Sequence, residues 1–166
     1  MNFDQAFKHI IGVEGQYSND SRDPGGETKY GISKRSYPGL DIASLTLDEA
    51  KRIYKKDYWD AGKCVQIPSE IRLLYFDSLV NCGIHATGRL LQKAINEISK
   101  SIGEHPHIIE DGIVGKITQR YAEALANSLK NQFVIERMRY YLAIANRTDV
   151  FLLGRMNRLL KIYDAK

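Results

Sequence analysis

Val13-Glu14-Gly15-Gln16-Tyr17-Ser18-Asn19-Asp20-Ser21-Arg22-Asp23-Pro24-Gly25-Gly26-Glu27-Thr28-Lys29-Tyr30-Gly31-Ile32 is the stretch from which the rest of the chain is read. Upstream of it, Phe3, Phe7, Ile10 and Ile11 recur at i, i+4, i+7 and i+8, one face of a helix that is expected to end near Glu14-Gly15. A loop dense in Gly, Asp and Asn follows. Glycines at 15, 25, 26 and 31 imply several positive-φ or close-approach backbone positions, more than a surface turn requires.

A carboxylate fixed at a rigid helix end, followed by a polar loop with a second carboxylate, suits glycoside hydrolysis. The general acid must hold its proton near neutral pH. A helix C-terminus carries partial negative charge, which disfavours ionised Glu14 and raises its pKa. A carboxylate in the polar loop stays ionised and can handle water. An inverting enzyme needs that base about 6.5–9.5 Å from the acid, with water between. Asp23 leads for this role and Asp20 is the reserve. The alternatives are an Asx-turn aspartate before Pro24-Gly25 and a solvated turn residue. Thr28 can orient the attacking water through its hydroxyl, or cap the loop. For Glu14 itself, the plain alternative is a solvated acid near a helix end.

Glu-Gly-x-Tyr at 14–17, then Asp-x-Gly-Gly-x-Thr-x-x-Gly-Ile at 23–32, resembles the signature of the phage-type N-acetylmuramidases of glycoside hydrolase family 108. The resemblance continues through Tyr58-Trp59, Ile67-Pro68, Phe76-Asp77-x-x-x-Asn81-x-Gly83 and Leu91-Gln92. Asp111-Gly112-x-x-Gly115-x-x-Thr118 looks like the family's C-terminal peptidoglycan-binding segment. Two positions depart from the pattern: Gly15-Gln16 stands where the family has Gly-Gly, and Gly154-Arg155 where a Gly-Trp pair is expected.

The resemblance implies an all-α, mainly helical, lysozyme-like fold with a long catalytic loop after the first helix. It implies a catalytic part over 1–83 and a tightly joined peptidoglycan-binding part over 84–166. Glu14 becomes the acid, with Asp23 and Thr28 beside it; Glu27 falls on a variable motif position and is left out. Tyr17, Tyr30, Asn81 and Trp59 are the residues expected to meet sugar. Core roles compete for Tyr58 and Trp59, and a helix-end cap competes for Asn81. Asp77 is expected to be structural, holding a loop. The substrate implied is the β-1,4 bond between N-acetylmuramic acid and N-acetylglucosamine, with no cofactor and no metal. A lytic transglycosylase would need the acid but no base. A cell-wall-binding module would need neither.

A chain of 166 residues is one domain or two tightly joined subdomains. No apolar run approaches the ~20 residues that span a bilayer. Leu73-Leu74-Tyr75-Phe76 and Val150-Phe151-Leu152-Leu153 are the longest, and both fit core helices. Met1-Asn2-Phe3-Asp4-Gln5 lacks the basic and apolar regions of a signal peptide, so synthesis in the bacterial cytoplasm and action on periplasmic peptidoglycan are expected. Delivery would then use a holin or secretion machinery, and the enzyme is expected to be a monomer without stable membrane insertion.

Cys64 and Cys82 make no disulfide framework; Cys82 is expected to be buried and Cys64 to sit in a loop. The net charge of +4 gathers late, at Arg137, Arg139, Arg147, Arg155, Arg158 and Lys161. That is a solvated helix face or a surface drawn to an anionic polymer. A helix-turn-helix would not need the Gly/Asp loop, so nucleic acid is not an expected partner. His105-x-His107 and the cysteines do not match zinc spacings, and Asn19–Asp23 places no calcium-loop Gly or Glu correctly.

Downstream, Thr46-x-x-Glu49 reads as a capping box opening a helix with Leu47, Ala50, Ile53 and Tyr54 inward. Pro68 starts a helix apolar on most sides and therefore central; Gly83 ends it and is the candidate hinge. A helix through Leu90–Ile102 follows, then a loop with the Asp111-Gly112 turn. Three further helices are expected, with Ile117, Leu142 and Phe151 among their inward residues.

Overall fold

The computed structural model describes residues 1–11, 17–19, 26–103, 107–145 and 151–165. Seven α-helices, one π-helical stretch, one 3₁₀ turn and one short hairpin make up the regular structure among the described residues, so the fold is mainly helical as expected. The chain forms two compact units, Asn2–Asp57 and Tyr58–Lys166 with Met1.

In the first unit, α1 (Phe3–Ile11) buries Ala6, Phe7 and Ile10. Its first turn is closed reciprocally: Gln5 N donates to Asn2 Oδ1 at 3.0 Å and Asn2 N donates to Gln5 Oε1 at 2.9 Å. The expected end at Glu14-Gly15 lies outside the described residues. A hairpin of β1 (Thr28–Lys29) and β2 (Ile32–Ser33) follows, pairing Thr28 with Ser33 and Lys29 with Ile32. Helix α2 (Leu47–Ile53) opens on the capping box read from the sequence. Glu49 N donates to Thr46 Oγ1 at 3.2 Å, and Thr46 N donates back to Glu49 Oε2 at 2.8 Å. The bonds its carboxylate accepts from Thr46 N and, at 2.7 Å, from Thr46 Oγ1 hold Glu49 below its ordinary pKa. Ala50 and Tyr54 are buried, whereas Leu47 is 46% exposed. The helix runs on into a π-helical stretch, Tyr54–Asp60.

In the second unit, a 3₁₀ turn (Cys64–Gln66) leads to α3 (Ser69–Cys82), buried continuously from Leu73 to Leu79. A helix apolar on most sides has no solvent face to keep, and α3 packs against α4 (Ile84–Ser101), α6 (Ala126–Ile144) and α7 (Leu152–Asp164). Helix α5 (Lys116–Ala124) leans on α4 and α6. Gly83, at φ +82°, turns α3 directly into α4. Those two helices pack together inside one unit, and the two units meet in sequence at Asp57–Tyr58.

Several expectations about burial are corrected. Arg137 is fully buried and not part of a solvated face. Its Nη2 lies 2.6 Å from Asp77 Oδ2 with both side chains at 0% exposure, and Arg158 Nε donates to Asp77 Oδ1 at 2.8 Å. Asp77 therefore ties α3 to α6 and α7, where a loop-holding role was expected. Arg137 Nη2 and Nε also donate to Tyr141 Oη at 2.6 and 2.9 Å. Cys64 is the buried thiol and Cys82 the half-buried one, the reverse of the reading, because the 3₁₀ turn packs inward. Phe151 and Leu153 are 54% and 70% exposed, Ile117 67% and Leu142 60%, so those stretches are not core. Thr118 and Ala122 supply the inward face of α5 instead.

The Asp77–Arg137 pair makes a stability prediction. Arg137→Ala leaves a buried carboxylate short of its nearest cation, which costs about 3–5 kcal/mol. Urea unfolding should show the midpoint lowered at an unchanged m-value. A loss under about 1 kcal/mol would mean Arg158 alone suffices for Asp77.

Candidate active site

The motif loop is closed at its base by backbone pairing. Ser18 N donates to Thr28 O and Thr28 N donates to Ser18 O, each at 2.8 Å. Thr28 pairs with Ser33 on its other side. It is thus the middle of three adjacent segments, with both of its backbone polar groups spent on Ser18. A residue gripped on two edges cannot drift, which fixes where its side chain starts. The Thr28 hydroxyl donates to Gly26 O at 3.0 Å, leaving oxygen lone pairs to accept a hydrogen bond from another group.

A cross-loop contact reinforces this base. Tyr17 Oη donates to Glu27 Oε1 at 2.8 Å, and that bond to a carboxylate raises the Tyr17 phenol above its ordinary pKa. Tyr17 is 46% exposed, so its ring remains open to a ligand. Glu27, left out of the site on sequence grounds, is thereby oriented at the loop base. No spacing rule would have found it, because the pairing that joins it to Tyr17 is tertiary.

The hairpin turn is unusual. Tyr30 and Gly31 take φ of +52° and +73°, the pattern of a type I′ turn, where Asn-Gly or Asp-Gly is the ordinary choice. A bulky residue in this left-handed region costs on the order of 1–3 kcal/mol and persists only when its surroundings hold it. At Gly31 the Cβ of any other residue would come 2.6 Å from Tyr54 Oη. Tyr54 Oη in turn donates to Tyr30 O at 3.1 Å.

Glu14 and Asp23, the expected acid and base, and Asp20, the reserve, lie outside the described residues. The structure brings Tyr17, Thr28 and Tyr30 onto the same small hairpin assembly of the first unit. Asn81 and Trp59 belong to the second unit. Asn81 donates to Asp77 O at 2.8 Å and to Asp77 Oδ1 at 3.2 Å, so its amide braces the buried ion-pair cluster, although the residue is exposed. Trp59 is 2% exposed, with its ring edge-on to Phe76 at 5.1 Å and 84°. It is a core residue and presents no face to a sugar in this structure.

Larger grooves occur in the second unit. One, of about 610 Å³, lies between α4 and α6. Its Glu136 carboxylate accepts from Arg139 at 2.6 Å and Gln132 at 2.9 Å. Another, of about 630 Å³, borders the Asp111-Gly112 turn. Gln92 Nε2 donates to Asp111 Oδ1 at 2.7 Å, and Gly112 N donates to Gln92 Oε1 at 2.7 Å. A Cβ at Gly88 would come 2.1 Å from Gly112 O. The Leu91-Gln92 and Asp111-Gly112 motifs therefore clamp one another. Among the described residues, no three His, Cys, Asp or Glu side chains converge as a metal site needs, and no helix is long and apolar enough to cross a membrane.

Residues 7–83 match the family described as Glycosyl hydrolase 108. The match takes in Glu14, the motif loop, the hairpin and α3, so this part of the chain is similar to that family, which supports a glycosidase. The fold is that of Brucella abortus SagA, with a TM-score of 0.81 and 22% identity, covering 97% of this chain and 91% of that one. It is the lysozyme-like helical arrangement the sequence led us to expect. No curated protein matches the chain.

Proposed function

We propose that this protein is a peptidoglycan N-acetylmuramidase that hydrolyses the β-1,4 bond between N-acetylmuramic acid and N-acetylglucosamine. The observation that carries this reading is the family match across the Glu14 motif. Glu14 protonates the leaving glycosidic oxygen. Asp23 takes the proton of the attacking water, and Thr28 orients that water. The water is needed only for hydrolysis, and the fixing of Thr28 on two edges supports a positioned water over anhydro-ring closure. Tyr17 and Tyr30 offer ring faces to the glycan. The segment around Asp111-Gly112 contacts the wall polymer, with Ile109, Ile113 and Ile117 exposed beside it at 79%, 66% and 67%.

In biological terms the enzyme acts as a phage-type endolysin, a monomer delivered to periplasmic peptidoglycan by a holin or by secretion machinery. The reading is tested by release of soluble fragments from purified Gram-negative sacculi. Wild type releases them; Thr28→Val, which keeps the shape and removes the hydroxyl, slows release roughly 10–10²-fold through misplaced water. Thr28→Ser restores most of the rate. Equal rates for Thr28→Val and wild type would return Thr28 to a loop-capping role.

A further inference from the structure

We propose that the Tyr54 hydroxyl is a positioning group for the catalytic loop, setting the hairpin that carries Thr28 against the helix that leads to Glu14. Tyr54 is 3% exposed and stands at the start of the π-helical stretch after α2. Its ring meets Phe7 of α1 edge-on, with centroids 5.5 Å apart at 72°. Its hydroxyl donates to Tyr30 O at 3.1 Å. One rigid side chain therefore touches both the helix before the acid and the turn two residues beyond Thr28.

Two details show that the contact is built and not incidental. The Tyr30 carbonyl it holds belongs to a residue at φ +52°, a conformation a tyrosine adopts only when held. Gly31 leaves the space in which the hydroxyl sits, since a Cβ there would lie 2.6 Å from it. The π-helical geometry at Tyr54–Asp60 also fits, because such departures from α-helix are frequent at functional sites. Tyr54 touches no substrate in this account; it acts through Thr28, and the inference rests on the muramidase reading above.

The test is a double-mutant cycle of Tyr54→Phe with Thr28→Val, read as kcat and KM on purified peptidoglycan. Tyr54→Phe keeps the ring on Phe7 and removes only the hydroxyl. Its expected effect is a fall in kcat of about tenfold, KM within twofold of wild type, and Tm within about 3 °C. Made in the Thr28→Val background, the same change should cost less than twofold further, because the group it positions is already gone. Gly31→Ala crowds the hydroxyl from the other side and should lower kcat in the same manner, again absorbed by Thr28→Val; it keeps the test open if Tyr54→Phe folds poorly. Fully multiplicative losses, or a fall that tracks KM or Tm, overturn the positioning role while leaving the muramidase reading intact. A wild type that releases no fragments overturns both.

Discussion

Glu14→Gln abolishes fragment release from peptidoglycan and leaves folding at the wild-type level. The substitution keeps the size and polarity of the side chain but removes the proton that, in the proposed mechanism, passes to the leaving oxygen. Loss of a general acid alone costs about 10²–10⁴-fold. The bond in question is not cleaved at a useful rate without it, so activity should fall below detection. Folding should survive because Gln matches Glu in size and polarity and leaves Ala6, Phe7 and Ile10, the buried residues of α1, untouched. Far-UV circular dichroism and the urea midpoint check that half of the prediction. Retained lysis would remove Glu14 from the chemistry and with it the assignment of the first helix as the acid-bearing element.

Asp23→Asn is the second large effect. The amide cannot accept the proton of the attacking water, and turnover should fall roughly 10²–10⁴-fold with KM little changed. Asp20→Asn is the control, expected near wild type. The Ser18–Thr28 pairing closes the loop from outside both positions, so neither change disturbs its base. A loss below tenfold for Asp23→Asn would make it a turn residue before Pro24-Gly25. If Asp20→Asn carried the loss instead, the base would move three residues.

The helices were legible because their signals are local. Thr46 and Glu49 form the capping box that their spacing predicts, and the apolar run of α3 gives the central helix it implies. The hairpin was not legible: its strands are two residues each, too short for alternation, and its turn is Tyr-Gly where Asn-Gly would have signalled it. Arg137 was misread for a different reason. A charged residue on a helix reads as solvent-facing unless its partner is known, and Asp77 lies on a distant helix. Trp59 shows the same limit, since an aromatic that suits a sugar also suits a core, and only packing decides.

The candidate site divides along the same line. Glu14, Asp23 and Thr28 were candidates from the sequence because the motif holds residue types and spacing together. Glu27 and Tyr54 were not, since what draws attention to them is a bond to Tyr17 and a bond to Tyr30. The bland reading of Glu27, a variable loop acid, and that of Tyr54, an inward residue of α2, were both sound from sequence alone.

The most direct test of the central claim is digestion of purified Gram-negative peptidoglycan by wild type and by Glu14→Gln, with mass spectrometry of the fragments. The account predicts fragments with reducing N-acetylmuramic acid ends from wild type and none from Glu14→Gln. Anhydro-muramic ends, or fragments of any kind from Glu14→Gln, would contradict it.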